Sequence, residues 1–155
     1  MIKNILALDT STTTGIAILR DRVVGFRTMD LKKSNKEPGQ LHSVFYKELD
    51  NLIYIIKPEI IYKEQGFFAS GRGKAAKCLY GFHVIVDMLA YKHGIEVIDI
   101  ANTTLKKVTT GSGQASKEDM MKVIRDKGYM ITNDHEADAM AVLLYAAKQE
   151  GIDLD

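Results

Sequence analysis

The chain has 155 residues, 46% hydrophobic and 26% charged, with two prolines, one cysteine and a formal net charge of +1. Length and balance fit a single ordered domain with its own core and exclude a disordered or disulfide-stapled chain. No apolar stretch reaches the roughly 20 residues of a membrane span, and MIKNILALDT turns polar too early for a signal peptide, so a soluble cytoplasmic protein is expected.

Residues 3–8, 15–20 and 22–29 are short apolar runs separated by Thr/Gly and Arg-Asp-Arg punctuation, which predicts a three-strand meander. A polar loop with Pro38 and Gly39 follows. In LHSVFYKELDNLIYII the apolar positions 41, 44, 45, 49, 52, 53 and 56 keep helical spacing, and Pro58 closes the helix. EIIYKE (59–64) reads as a strand, 71–94 as a long helix ending at Gly94, and IEVIDI (95–100) as a strand. Strand, helix, strand, helix, strand implies parallel pairing through right-handed crossovers. NTTLKK reads as a short helical turn and TTGSGQ as a loop. Ser116 caps a helix over about 117–127 with Glu118 and Asp119 in its first turn. A last helix starts near Asn133 or Asp134 and runs to Gly151. The order βββαβαβαα predicts an α/β fold on a mixed five-stranded sheet, with an antiparallel meander on one side.

Charge is unevenly spread along these elements. Residues 134–155 hold six acids against one lysine, a balance of −5, which leaves +6 on residues 1–133. Basic residues gather in KEQGFFASGRGKAAK and TTLKKVTTGSGQASK, where a polyanion would be felt; solvated surface lysines are the alternative.

Three places carry acids that need an explanation. Asp9 closes the first strand, and alone it reads as a turn residue more readily than as a ligand. Glu64 ends the EIIYKE strand, and parallel strands present their carboxyl ends to a ligand crevice. If the first and fourth strands are neighbours, the two carboxylates face each other, and a cation would relieve their repulsion. In NDHEADAMA, at about 100° per residue, Asp138 has His135 roughly 60° and Asp134 roughly 40° away on one helix face, with Glu136 nearly opposite. Capping and the helix dipole account for Asp134 and Glu136. They do not account for Asp138, set among Ala137, Ala139, Met140, Ala141 and Val142, because a carboxylate on an apolar stretch needs a partner. Carboxylates with one imidazole and no thiolate select a hard cation, Mg²⁺ or Mn²⁺, and such sites hydrolyse phosphodiesters, often with two ions. With the basic segments, this points to phosphoryl chemistry on nucleic acid.

ILALDTSTTTGIAIL, IIYKEQGFF before a long helix, KKVTTGSGQASKEDM and HEADAMAVLLYA stand in the order and spacing of the RuvC-type Holliday junction resolvases of the ribonuclease H-like superfamily, which the chain resembles over nearly its whole length. The resemblance implies a ribonuclease H-like fold and a homodimeric, Mg²⁺-dependent endonuclease that nicks opposing strands of four-way DNA junctions in recombination and repair. By position, Asp9, Glu64 and Asp138 resemble the family's metal-binding carboxylates. Many members carry a fourth carboxylate where this chain has His135, and histidine stands there in some relatives. His135 is therefore taken as a catalytic and metal-binding residue, with Asp134 as the alternative ligand. Phe67 resembles the aromatic that stacks on an unpaired base near the crossover, against a core phenylalanine as the plainer reading. Arg72 and Lys74 suit phosphates, and Lys106, Lys107 and Lys117 resemble a second backbone-gripping segment. The long helix carrying Gly81 resembles the family's dimer element, although packing on the sheet explains its apolar face equally well.

The remaining residues are assigned to structure: Met120, Met121, Met130 and Met140 to the core, Cys78 to packing, and His42, His83 and His93 to sites apart from the carboxylates. An aspartate before Thr/Ser/Gly also begins sugar kinases and actin-like ATPases, but those need a second lobe. A non-catalytic partner module of tRNA threonylcarbamoylation would leave Glu64 and HEADA without a role. A YqgF-like RNA-processing nuclease is the rival within the nuclease class. Sequence preference, the range of branched DNA substrates, a branch-migration motor as partner, and a phage, mobile-element or bacterial origin are left open.

Overall fold

The computed structural model describes residues 1–2, 4–32, 37–66 and 73–154. Its elements are β1 (Asn4–Asp9), β2 (Thr13–Arg20), β3 (Val23–Asp30), α1 (Pro38–Ile56), β4 (Ile60–Glu64), α2 (Lys74–His93), β5 (Glu96–Ile100), α3 (Asn102–Thr110), α4 (Lys117–Asp126) and α5 (Asp134–Gln149). The sheet order is β3-β2-β1-β4-β5. β1–β2 and β2–β3 pair antiparallel, whereas β1–β4 and β4–β5 pair parallel. The meander and the parallel half thus join at β1, with the first and fourth strands side by side as expected. Asp21 and Arg22 both adopt positive φ (48° and 69°), which matches the twist of a tight hairpin between β2 and β3.

Strand alternation sorts the core into two layers. Ile5, Ala7, Ala17, Leu19, Ile60 and Tyr62 face α5, whose Ala137, Ala139, Met140 and Leu143 are buried against them. Leu6, Leu8, Ile16 and Ile61 face the opposite layer, built on Phe45 and Leu49 of α1 and Phe82, Val86 and Leu89 of α2. Truncating the fully buried Phe45 or Phe82 to alanine would cost about 3–5 kcal/mol. The run of alanines lets α5 lie close to the sheet. Cys78 is buried packing, as expected.

Two boundaries differ from the sequence expectation. Pro38 and Gly39 begin α1 instead of lying in a loop, because proline at the first helical position has no amide to leave unsatisfied, and the Glu37 amide donates to Gln40 Oε1 at 3.1 Å. The NTTLKK turn is a nine-residue helix, α3, held by buried Leu105 and ended by Gly111 at φ 88°. Leu105 is its single buried residue, and Thr109 and Thr110 before Gly111 read as the start of a loop. Among the described residues, no helix is long and apolar enough to cross a membrane.

Candidate active site

Asp9 and Glu64 are the last residues of neighbouring parallel strands. Asp9 shares the odd-numbered face of β1 with Ile5 and Ala7, and Glu64 the even-numbered face of β4 with Ile60 and Tyr62. Both carboxylates therefore project to the side on which α5 packs, beyond the end of the apolar layer. They line one crevice together with Thr10, Ser11, Gln65, Gly66, His83 and Asn102.

The first turn of α5 completes the arrangement. Asn133 caps the helix by accepting from the Glu136 amide at 2.9 Å, and its Nδ2 donates to Thr28 Oγ1 of β3 at 3.1 Å. Glu136 is buried and accepts from the Thr132 amide and hydroxyl at 2.7 and 3.0 Å, a structural role that matches its place away from the Asp138 face. His135 Nδ1 stands 3.3 Å from Asp9 Oδ2, and its Nε2 is 4.0 Å from Asp134 Oδ1. Asp134 itself accepts from Lys117 Nζ at 2.7 Å, which ties the start of α4 to the start of α5. Gly15, opposite Asp9 in the β1–β2 register, permits this approach: its missing Cβ would sit 1.9 Å from the His135 carbonyl oxygen.

Electrostatics single out two of the acids. Burial, then the charge of Asp9, pushes Glu64 up, against the hydrogen bond donated by Asn102 Nδ2 to Glu64 Oε1 at 2.8 Å and the charge of Lys106. Burial, then Asp9, Glu64 and Asp134, pushes Asp138 up to about 7, with Lys117 opposing. A helix N-terminus favours anions, so at Asp138 burial and like charge outweigh the dipole. The hydrogen bond to Asp9 raises His135, and the one from Lys117 lowers Asp134.

Among the described residues, no three His, Cys, Asp or Glu side chains form a group close enough to hold an ion as they stand. The donor chemistry fits a hard divalent cation all the same: carboxylate oxygens, one imidazole and no thiolate, with two acids whose ionised forms suffer from burial and mutual repulsion. Thr10 Oγ1, next to Asp9 in the same crevice, is buried without a hydrogen-bond partner.

The expected DNA contacts fall in three groups. Phe67 and Arg72 lie outside the described residues. Lys106 lies near enough to Glu64 for its charge to oppose the upward shift, and Lys117 Nζ pairs with Asp134 Oδ2 at 2.7 Å. Lys107 is exposed in the last turn of α3, and Lys74 is exposed at the start of α2 with Glu37 Oε1 3.1 Å from its Nζ. Two expectations change: Met130 is exposed on the loop before α5 instead of lying in the core, and His83 is not apart from the carboxylates but lines their crevice, because its part of α2 lies at the carboxyl end of β4. Sequence reading did not reach Asn102, Gly15 or Thr10. Asn102 had a signal, since it follows the end of β5 by two residues, and strand carboxyl ends border the crevice.

Residues 5–145 match the family model described as crossover junction endodeoxyribonuclease RuvC. The protein of that name from Brachyspira hyodysenteriae is 34% identical over 119 residues, covering 76% of this chain and 74% of that protein. Its counterpart from Pseudothermotoga lettingae is 32% identical over 102 residues, covering 64% and 62%. Among solved structures, T. thermophilus RuvC in complex with Holliday junction substrate aligns with a TM-score of 0.76 at 19% identity, over 95% of this chain and 96% of that one. The shared fold is the ribonuclease H-like one that the motifs imply. The family match runs from β1 into α5 and takes in Asp9, Glu64, His135 and Asp138, and so the chain belongs to the RuvC family of crossover junction endodeoxyribonucleases.

Proposed function

We propose that this chain works as one nuclease domain that nicks four-way DNA junctions with Mg²⁺, or Mn²⁺ in its place, and that Asp9, Glu64, His135 and Asp138 are its catalytic and metal-binding residues. The observation that carries this reading is the placement of three acids and an imidazole, from β1, β4 and α5, at one end of the sheet, where burial and like charge raise Glu64 and Asp138 and where His135 Nδ1 lies 3.3 Å from Asp9 Oδ2. A bound divalent cation supplies an activated water and stabilises the leaving oxygen in phosphodiester hydrolysis. The chain's own groups do the rest. Asp9 is the central acceptor, whose charge reaches both other acids. Asn102 keeps one Glu64 oxygen oriented, and His135 Nδ1 shares a proton with Asp9 Oδ2, a position from which imidazole can take a proton from water. Lys106 and Lys117 bring positive charge towards the acids, and Lys74, Lys107 and Arg72 are assigned to backbone contact and Phe67 to base stacking.

Two opposing nicks call for two centres, so the working unit is a homodimer. Helix α2 supports this with exposed Tyr80, Val84, Met88 and Tyr91 at near-helical spacing on the side away from the core. The work belongs in the cytoplasm, where the DNA is; a branch-migration motor would deliver junctions to the dimer.

The test is cleavage of synthetic four-way, three-way and linear DNA with Mg²⁺. The wild type is expected to prefer the four-way junction, and Asp9→Asn and Glu64→Gln to lose about 10²-fold or more in rate. Unchanged cleavage in either variant overturns the site, and cleavage of RNA in preference to junctions overturns the substrate.

A further inference from the structure

Lys63 is 3% exposed, the residue before Glu64 on β4, and alternation turns it to the opposite face, into the apolar layer between the sheet and α1/α2. There its Nζ lies 3.0 Å from Nδ1 of buried His83 on α2 and pairs closely with Asp99 Oδ1 of β5, its partner in the parallel register. His83 is held down to about 4, by burial and then by the charge of Lys63. Its ring is therefore neutral, and Nδ1 accepts from the ammonium group. Asp99 is half-exposed, so the cluster meets water at that end.

Stability gives little reason for a cation here. Desolvating an ammonium group costs several kcal/mol, and apolar replacements of buried ion pairs are often neutral or stabilising. What the cluster provides is a directional three-way link between the end of β4, the neighbouring strand β5 and the third turn of α2. Glu64 is the next residue on the strand, and His83 forms part of the wall of its crevice. An apolar side chain packs without direction, whereas hydrogen-bonded charges hold one arrangement.

We propose that Lys63, with His83 and Asp99, is a positioning residue that fixes the carboxyl end of β4 against α2 and so sets Glu64 for metal-dependent cleavage. The proposal rests on the nuclease reading above, with Glu64 as a metal-binding residue. Lys63 itself touches no reacting atom from its side of the sheet.

The test compares wild type, Lys63→Met and Glu64→Gln on a synthetic four-way junction. Three quantities are read: junction binding in EDTA, single-turnover cleavage across a Mg²⁺ titration, and melting temperature. Lys63→Met is expected to fold and to bind the junction within about twofold of wild type, while its cleavage rate falls about tenfold and its half-saturating Mg²⁺ concentration rises severalfold, the cost of a misplaced ligand. A folded Lys63→Met with wild-type rate and Mg²⁺ requirement overturns the proposal. So does a loss of binding that accounts for the whole loss of cleavage. If Lys63→Met does not fold, Asp99→Asn, at the half-exposed end of the cluster, is judged by the same criteria. A wild-type protein that does not cut the junction, or a Glu64→Gln variant that cuts it normally, instead overturns the nuclease reading, which keeps the two failures distinct.

Discussion

Gly15 lies so close to His135 that a Cβ on it would stand 1.9 Å from the His135 carbonyl oxygen and 2.6 Å from the carbonyl carbon. Both atoms are backbone, so no side-chain rotation relieves the clash, and α5 would have to move outward. The glycine faces Asp9 across the β1–β2 ladder, and the same helical turn sets His135 Nδ1 3.3 Å from Asp9 Oδ2. Gly15→Ala is expected to lower stability by about 2 kcal/mol and junction cleavage by about 10²-fold. Melting and cleavage rates both at wild-type level would show that the helix yields without cost.

His135 is bracketed by Asp9 and Asp134, and the hydrogen bond to Asp9 raises it. His135→Ala should reduce single-turnover cleavage about 10²-fold, whereas His135→Asp, which restores a ligating oxygen, should retain much more activity. Full activity in the alanine variant removes His135 from the catalytic set.

At the proposed metal site, ion and proton would compete for the same acids. Glu64 and Asp138 have folded-state values above their ordinary ones, so each holds its proton to higher pH in the folded protein than in the unfolded chain, and their contribution to metal-free stability falls as pH rises from about 4 to 7, while His83, lowered from 6.5 to about 4, contributes with the opposite sign between those two values. For Asp138, raised from 3.8 to about 7, the effect is at most about 4 kcal/mol. His135 has the same sign: its contribution is complete below its ordinary value of 6.5 and is lost as pH climbs through the raised one. Asp50, Asp119 and Asp134 are lowered, so their contributions are lost only below 3.8, outside this window. Mg²⁺ is therefore expected to raise the melting temperature more at about pH 7.5 than at about pH 5.5. An equal gain at both pH values would separate these acids from the ion.

The stripe on α2 predicts the oligomeric state. Met88 is 55% exposed, and Val84, one turn before it, 46%. Neither is needed to close the core, so Met88→Glu should fold with near-wild-type melting. In sedimentation it should shift the protein from dimer to monomer and weaken paired nicking of junctions. A wild type that is monomeric at micromolar concentration would move the dimer contact elsewhere.

Much of the site was legible because its parts obey local rules. Asp9 and Glu64 end apolar strands that a βαβ connection makes parallel neighbours. Asp138 stands out because an acid among alanines and a valine has no local reason to be there. Helix boundaries governed by capping were legible at Ser116, where the hydroxyl accepts from the Asp119 amide, and missed at Pro38, where proline at the first position looked like a loop. Helix α3 was shortened to a turn because only Leu105 marks its inner face. Asp134 read as a helix cap, but Asn133 caps α5, and Asp134 is committed to Lys117 from seventeen residues upstream.

The sequence by itself determined the strand and helix pattern, the mixed sheet and the three acids with their neighbouring imidazole, because side-chain alternation and helical periodicity are properties of consecutive residues. Only the tertiary structure decided which distant groups meet: His135 with Asp9, Asn102 with Glu64, Gly15 beneath the first turn of α5, and Lys63 with His83 behind the carboxyl end of β4. Those encounters depend on how closely helices settle on the two faces of one sheet. That distance is set by the packing of the whole core, and no local stretch of the chain encodes it.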